Sequence, residues 1–137
     1  MVKLFAGEKG EGKTRKLINM ANAAKDTTDG HIVYIDDDGR NMHELHYKVR
    51  LVDTSSYPLK SYREFIGFIY GMLSQNSDIV EIYIDSLSGI IEQFDNNDAV
   101  GFIKDVQRIS SSCNVQFIMT LNCNPNELPN EIKEIMV

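Results

Sequence analysis

The chain has 137 residues, 42% hydrophobic and 25% charged, a length and balance expected of one domain, residues 1–137, that buries its core without disulfides or a structural metal. Its formal charge of −6 argues against duplex nucleic acid as a partner, because such binding draws much of its affinity from basic side chains set against phosphates. No apolar run reaches the ~18 residues of a membrane span, and Met1 to Ala6 is too short for a signal peptide, so a cytoplasmic setting without a membrane span is expected.

In chain order, short β-type runs alternate with longer helical patterns, which points to an α/β fold on a parallel sheet. Val2 to Ala6 reads as a short buried strand, and Leu17, Met20, Ala21 and Ala24 then recur at helical spacing. The Asp29-Gly30 turn leads into a second strand, His31 to Ile35, and Val49 to Val52 is a third. Tyr62, Phe65, Ile66, Ile69 and Leu73 form one face of an amphipathic helix, with Ser61 and Glu64 spaced as a capping box. Ile79 to Ile84 is a fourth strand, Ala99, Phe102, Ile103, Val106 and Ile109 mark another helix, and Val115 to Leu121 is a fifth strand. Asn124-Pro125 and Leu128-Pro129 break the pattern before a short charged tail. Strands this continuously apolar require cover on both faces, hence three α/β/α layers.

The segment from Gly7 to Thr14 satisfies G-x-x-x-x-G-K-[ST], the Walker A pattern, between a predicted strand and a predicted helix. Glycines let the backbone wrap phosphate oxygens with its N–H groups inward, and the following helix adds its positive N-terminal end. The binding set expected here is Gly7, Gly10, Glu11, Gly12, Lys13, Thr14 and Arg15, with the Glu8 and Glu11 side chains towards solvent. Lys13 is expected on the β- and γ-phosphates, and the Thr14 hydroxyl on Mg²⁺.

Further along, the apolar strand Ile82-Tyr83-Ile84 ends in Asp85, placed as a Walker B carboxylate that holds magnesium beside Thr14. Asp36, Asp37 and Asp38 crowd three carboxylates at the end of the second strand. One of them could orient an attacking water, or the cluster could be a solvated turn into Gly39-Arg40. Thr120 and Asn122 end the fifth strand, either as a γ-phosphate sensor or as turn formers. His31, His43 and His46 lack metal-ligand spacing, and Cys113 and Cys123 belong to no Cys/His cluster, so a zinc site is not expected.

Taken in order, these motifs resemble the ATPase core of the RecA-type P-loop NTPases, and in length and loop the chain resembles small bacterial ATP-binding proteins. The resemblance places the family's catalytic carboxylate on Asp38, which is one methylene shorter than the usual glutamate. It aligns Ile84-Asp85-Ser86-Leu87 with the Walker B segment and Asn122 with the polar sensor. It implies a five-stranded parallel sheet in the order 3-2-4-5-1 and a magnesium-dependent ATP-binding protein with slow or partner-stimulated ATPase activity. Lys13, Asp38 and Asn122 would be catalytic, and Thr14 and Asp85 the metal ligands. GTP is not excluded. A protein partner or a second copy is expected to complete the site, since no arginine is evidently placed to do so in cis. Little sequence follows the fifth strand, so recombinase or helicase activity is not implied. Two alternatives stay open: a small-molecule kinase, such as one acting on nucleosides or nucleotides, and a non-hydrolysing nucleotide-binding interaction module.

Overall fold

Five strands and five α-helices make up the chain in a computed structural model that describes all residues, 1–137. They run β1 (Val2–Gly7), α1 (Lys13–Thr27), β2 (His31–Asp36), β3 (Arg50–Asp53), α2 (Tyr62–Gln75), β4 (Ile79–Ile84), α3 (Leu87–Ile90), α4 (Asn96–Cys113), β5 (Gln116–Asn122) and α5 (Asn130–Lys133). Every strand pair is parallel, and the sheet order is β1-β5-β4-β2-β3. Read from the other edge this is 3-2-4-5-1, the expected order. The third strand sits one residue later than the pattern suggested, because Val49 turns into the core before pairing begins.

Side chains alternate between the faces of a strand, and here both faces are apolar. Ile32 and Tyr34 of β2, Tyr83 of β4 and Ile118 of β5 pack with Leu17, Ile18 and Ala21 of α1. The intervening Val33, Ile35, Ile82, Ile84, Phe117 and Met119 pack with Phe65 and Ile69 of α2 and Phe102 and Val106 of α4. The two helices of that second face meet through Phe65 and Phe102, whose rings stack 5.7 Å apart. Continuing the alternation to the strand ends puts Asp36, Asp85, Thr120 and Asn122 on the α1 side, where the sheet's apolar pattern stops. This geometry positions the site.

Helix starts follow local chemistry. Ser61 caps α2 by accepting from the Glu64 N–H at 3.3 Å, but the Glu64 carboxylate accepts from Lys60 rather than Ser61, so only half of the expected box forms. The complete box is on α4, where Asp95 and Asp98 exchange bonds with each other's backbone N–H groups. No helix is long and apolar enough to cross a membrane.

The tail corrects the expectation of a merely charged segment. Glu131, Lys133 and Glu134 do face solvent, but Leu128 and Ile132 between and before them are buried in the main core. Beyond α5, the Leu4 N–H donates to the Ile135 carbonyl and the Val137 N–H to the Leu4 carbonyl, both at 3.0 Å. These bonds lay the tail along the outer side of β1 and cover an edge that would otherwise offer unpaired groups to another chain. Truncating Ile132 to alanine should therefore cost about 2–5 kcal/mol in urea unfolding, as for a core residue; a cost near zero would mean that the tail does not pack.

Candidate functional site

Between β1 and α1 the backbone turns through Gly10 and Gly12, at φ +90° and +81°. These are left-handed conformations that residues with a Cβ rarely adopt, so glycine at both positions is required by the path of the loop. Gly12 is also the N-cap of α1 and supplies no side-chain bond, and the first turn carries no acidic residue. Both α2 and α4 have side-chain caps, whereas the first N–H groups of α1 are left to face the cleft with the positive end of the helix dipole. The Lys13 ammonium folds back across the loop and donates to the carbonyls of Gly7 (3.1 Å) and Glu8 (2.7 Å). Gly7 in turn pairs in register with Asn122 and accepts from the Cys123 N–H, which locks the loop to the end of β5.

A cleft of about 650 Å³ opens at the carboxyl ends of the strands, lined by no hydrophobic residue. The loop gives it Lys9, Gly10, Gly12, Lys13 and Thr14; the strand ends give Asp36, Asp37, Asp85, Ser86 and Asn122. Arg40, Asn41, Ser88 and Gly89 complete the wall.

Asp85 is 4% exposed. A carboxylate this buried needs donors, and it has two: the Tyr34 hydroxyl on Oδ2 at 3.0 Å and the Thr120 hydroxyl on Oδ1 at 2.8 Å. Thr120 accepts from the Ser86 N–H at 2.7 Å, and Asn122 Nδ2 reaches the Ser86 hydroxyl at 3.5 Å. Ser86 itself stands at φ 63°, a left-handed conformation at the point where β4 gives way to α3.

The acidic cluster divides. Asp36 is buried, and its Oδ1 accepts from the Asp37 N–H at 2.7 Å. Burial first, then the side chain of Asp37 and the charge of Asp85, push its carboxyl up to about 7. Asp37 is half-buried in the cleft wall, with its carboxylate against Gly89. Asp38 lies outside that wall, bound by the Arg40 guanidinium at 2.9 Å, and the Arg40 backbone N–H followed by its side chain hold it below the usual carboxylate range. Both partners of that pair are substantially exposed, so it adds little to stability.

Of the sequence-predicted set, Gly10, Gly12, Lys13, Thr14, Asp85 and Asn122 meet at this cleft, with Gly7 buried directly behind it. Arg15 points to Glu44 in an exposed ion pair at 2.7 Å, and Glu11 lies outside the lining with its carboxylate against Gly7. His31 pairs with Asn76 and His46 with the Lys48 backbone, so both serve local structure. Tyr34 and Ser86 were missed. Tyr34 carried a readable signal, since it shares its strand face with Asp36 two residues on. Ser86 depends on a backbone conformation that residue type does not announce. The chain matches no protein-family model and no curated protein.

Asp36 has a consequence for pH. Its carboxyl releases its proton near 4 when unfolded but near 7 when folded, so between those values the native state binds more protons. Stability must fall across that window as pH rises. The Asp36→Asn variant keeps the acceptor for Asp37 and removes the charge. In EDTA it should unfold several degrees above wild type at pH 8, about 1 kcal/mol or more, and lose that advantage towards pH 4.5. A difference that does not change with pH would count against a buried, reluctantly ionised Asp36.

Proposed function

We propose that this protein is a magnesium-dependent ATP-binding protein of the P-loop type with a RecA-like core, and that it hydrolyses ATP slowly until a partner stimulates it. One observation carries the reading. The uncapped start of α1, with Lys13 and Thr14, faces the same cleft as the buried Asp85 carboxylate, a cleft lined by no hydrophobic residue. Such a cleft suits phosphates and a hard cation, and it has no apolar wall for a base. GTP would present the same phosphate chemistry, so the choice of ATP rests on the family resemblance.

The donor set fits the absent groups. Gly10 and Gly12 leave open space where a Cβ would sit, as a backbone cradle needs. Lys13, now bonded to loop carbonyls, carries the cation to exchange those bonds for phosphate oxygens. Thr14 and Asp85 would hold magnesium, which when bound offsets the charge of the β- and γ-phosphates. Asn122, anchored beside Gly7, would touch the terminal phosphate or the attacking water. Asp37 is the better candidate to orient that water, since it lines the cleft while Asp38 is engaged by Arg40 outside it.

The strand order also favours hydrolysis over transfer to a small acceptor: β5 lies between β1 and β4, the division of RecA-like cores, rather than β1 directly beside β4 as in kinase-type cores. Arg40, the arginine in the cleft wall, is paired to Asp38. An arginine supplied by a protein partner or a second copy of the chain would complete the site. The net charge of −6 makes nucleic acid an unfavourable partner for this domain.

Mg-ATP at 100 times its dissociation constant should add about 2.7 kcal/mol of stability, seen as a thermal shift that Lys13→Ala removes. No shift at millimolar nucleotide would sink the reading. In single-turnover hydrolysis, Asp37→Asn should lose about 100-fold in rate, while Asp38→Asn stays close to wild type. The reverse pattern would return the role to Asp38.

A further inference from the structure

We propose that Tyr34 is a positioning residue: with Thr120 it holds the Asp85 carboxylate in one orientation and so sets how tightly the cleft takes up magnesium. The proposal rests on the magnesium-nucleotide reading above and adds to it a residue that touches neither nucleotide nor metal.

A carboxylate rotates through a broad, roughly two-fold torsion unless something holds it. Here both oxygens are held, Oδ2 by Tyr34 at 3.0 Å and Oδ1 by Thr120 at 2.8 Å, and both donors are at most 1% exposed. The direction of each bond is determined. The Thr120 oxygen already accepts from the Ser86 N–H, so its single proton goes to Asp85. The Tyr34 hydroxyl donates to Oδ2, because an ionised carboxylate can only accept.

Tyr34 is itself rigid. Its ring stacks on Tyr83 at 6.4 Å and 12°, and the Tyr83 hydroxyl is tied to Glu81 at 3.0 Å. A carboxylate oxygen has two lone pairs. One donor on each leaves one on each for a cation or its water, and Asp85 lines the cleft. The two hydroxyls thus do for Asp85 what outer-shell partners do for metal ligands generally, where removing one typically costs about 10–100-fold in metal affinity.

The simpler role for the same bonds is to satisfy a buried carboxylate, which would affect stability alone. Two readouts separate them: the Mg²⁺ midpoint for binding a fluorescent ATP analogue, and Mn²⁺ binding followed by EPR without nucleotide. Tyr34→Phe should raise the Mg²⁺ midpoint and weaken Mn²⁺ binding about 10-fold or more, with nucleotide affinity in EDTA as in wild type. Thr120→Val should act in the same direction, and Thr120→Ser, which keeps the donor, should restore the wild-type midpoint; this pair decides the matter if Tyr34→Phe does not fold. A wild-type midpoint in folded Tyr34→Phe overturns the positioning role while leaving the nucleotide reading intact. Failure of the wild-type chain to bind either Mn²⁺ or Mg-ATP overturns both.

Discussion

A carboxylate inside a parallel sheet must be met by donors or it costs several kcal/mol, and Asp85 is met on both oxygens. That requirement organises the molecule around it. Asp85 follows β4, the middle strand of the order β1-β5-β4-β2-β3, so its donors have to come from the two neighbours, Thr120 from β5 and Tyr34 from β2. Period-two alternation brings all three side chains to the α1 side of the sheet. The same alternation leaves the opposite face to the aromatic and aliphatic core beneath α2 and α4.

The polar end of the sheet is built against local preference. Ser86 is held in a left-handed conformation at a cost of about 1–3 kcal/mol. It persists because its N–H is bound by Thr120, while its carbonyl accepts from Gly89 and Ile90. Asp36 is buried close enough to Asp85 for its ionisation to be opposed at neutral pH. Two carboxylates disposed this way, opposite a loop whose lysine has only carbonyls to bind, make a site short of positive charge on one side and of negative charge on the other. A cation beside Asp85 and an anion at the start of α1, as proposed, would relieve both.

Much of this was legible in the residues. The five strands are apolar runs bounded by turn signals, so their positions were readable to within about a residue. Their order followed from the resemblance, and right-handed crossovers then placed helices on both faces. Gly10 and Gly12 were legible because a loop that turns through left-handed conformations requires glycine, and Lys13 and Thr14 because they stand at the fixed spacing of the Walker A pattern. The resemblance points to Asp38 among the three carboxylates, but residue type along a chain does not say which of them a neighbouring arginine will pair with, and Arg40 pairs with Asp38. The tail looked merely charged because Glu131, Lys133 and Glu134 outnumber Ile132, whose burial depends on α4 and β1 arriving from far away in the chain. Ser86 was unreadable for a similar reason, its backbone being determined by Thr120, 34 residues on.

What the cleft lacks bears on how it would work. Its wall includes no hydrophobic residue, so on the proposed reading affinity for a nucleotide would come mainly from phosphate and cation. On the proposed reading, binding would be stronger for the triphosphate and weaker once the terminal phosphate leaves, because Lys13, Thr14 and Asp85 would act through charge. On that reading, such a site would distinguish the states of a nucleotide better than its identity. Arg40 adds to this, since it lines the cleft but is held by Asp38 in a solvent-exposed pair that costs little to break. Releasing Arg40 would bring a positive charge to the cleft and free the Asp38 carboxylate in one movement. The carboxylate that the family resemblance points to is therefore tied to the cleft wall through a single weak ion pair.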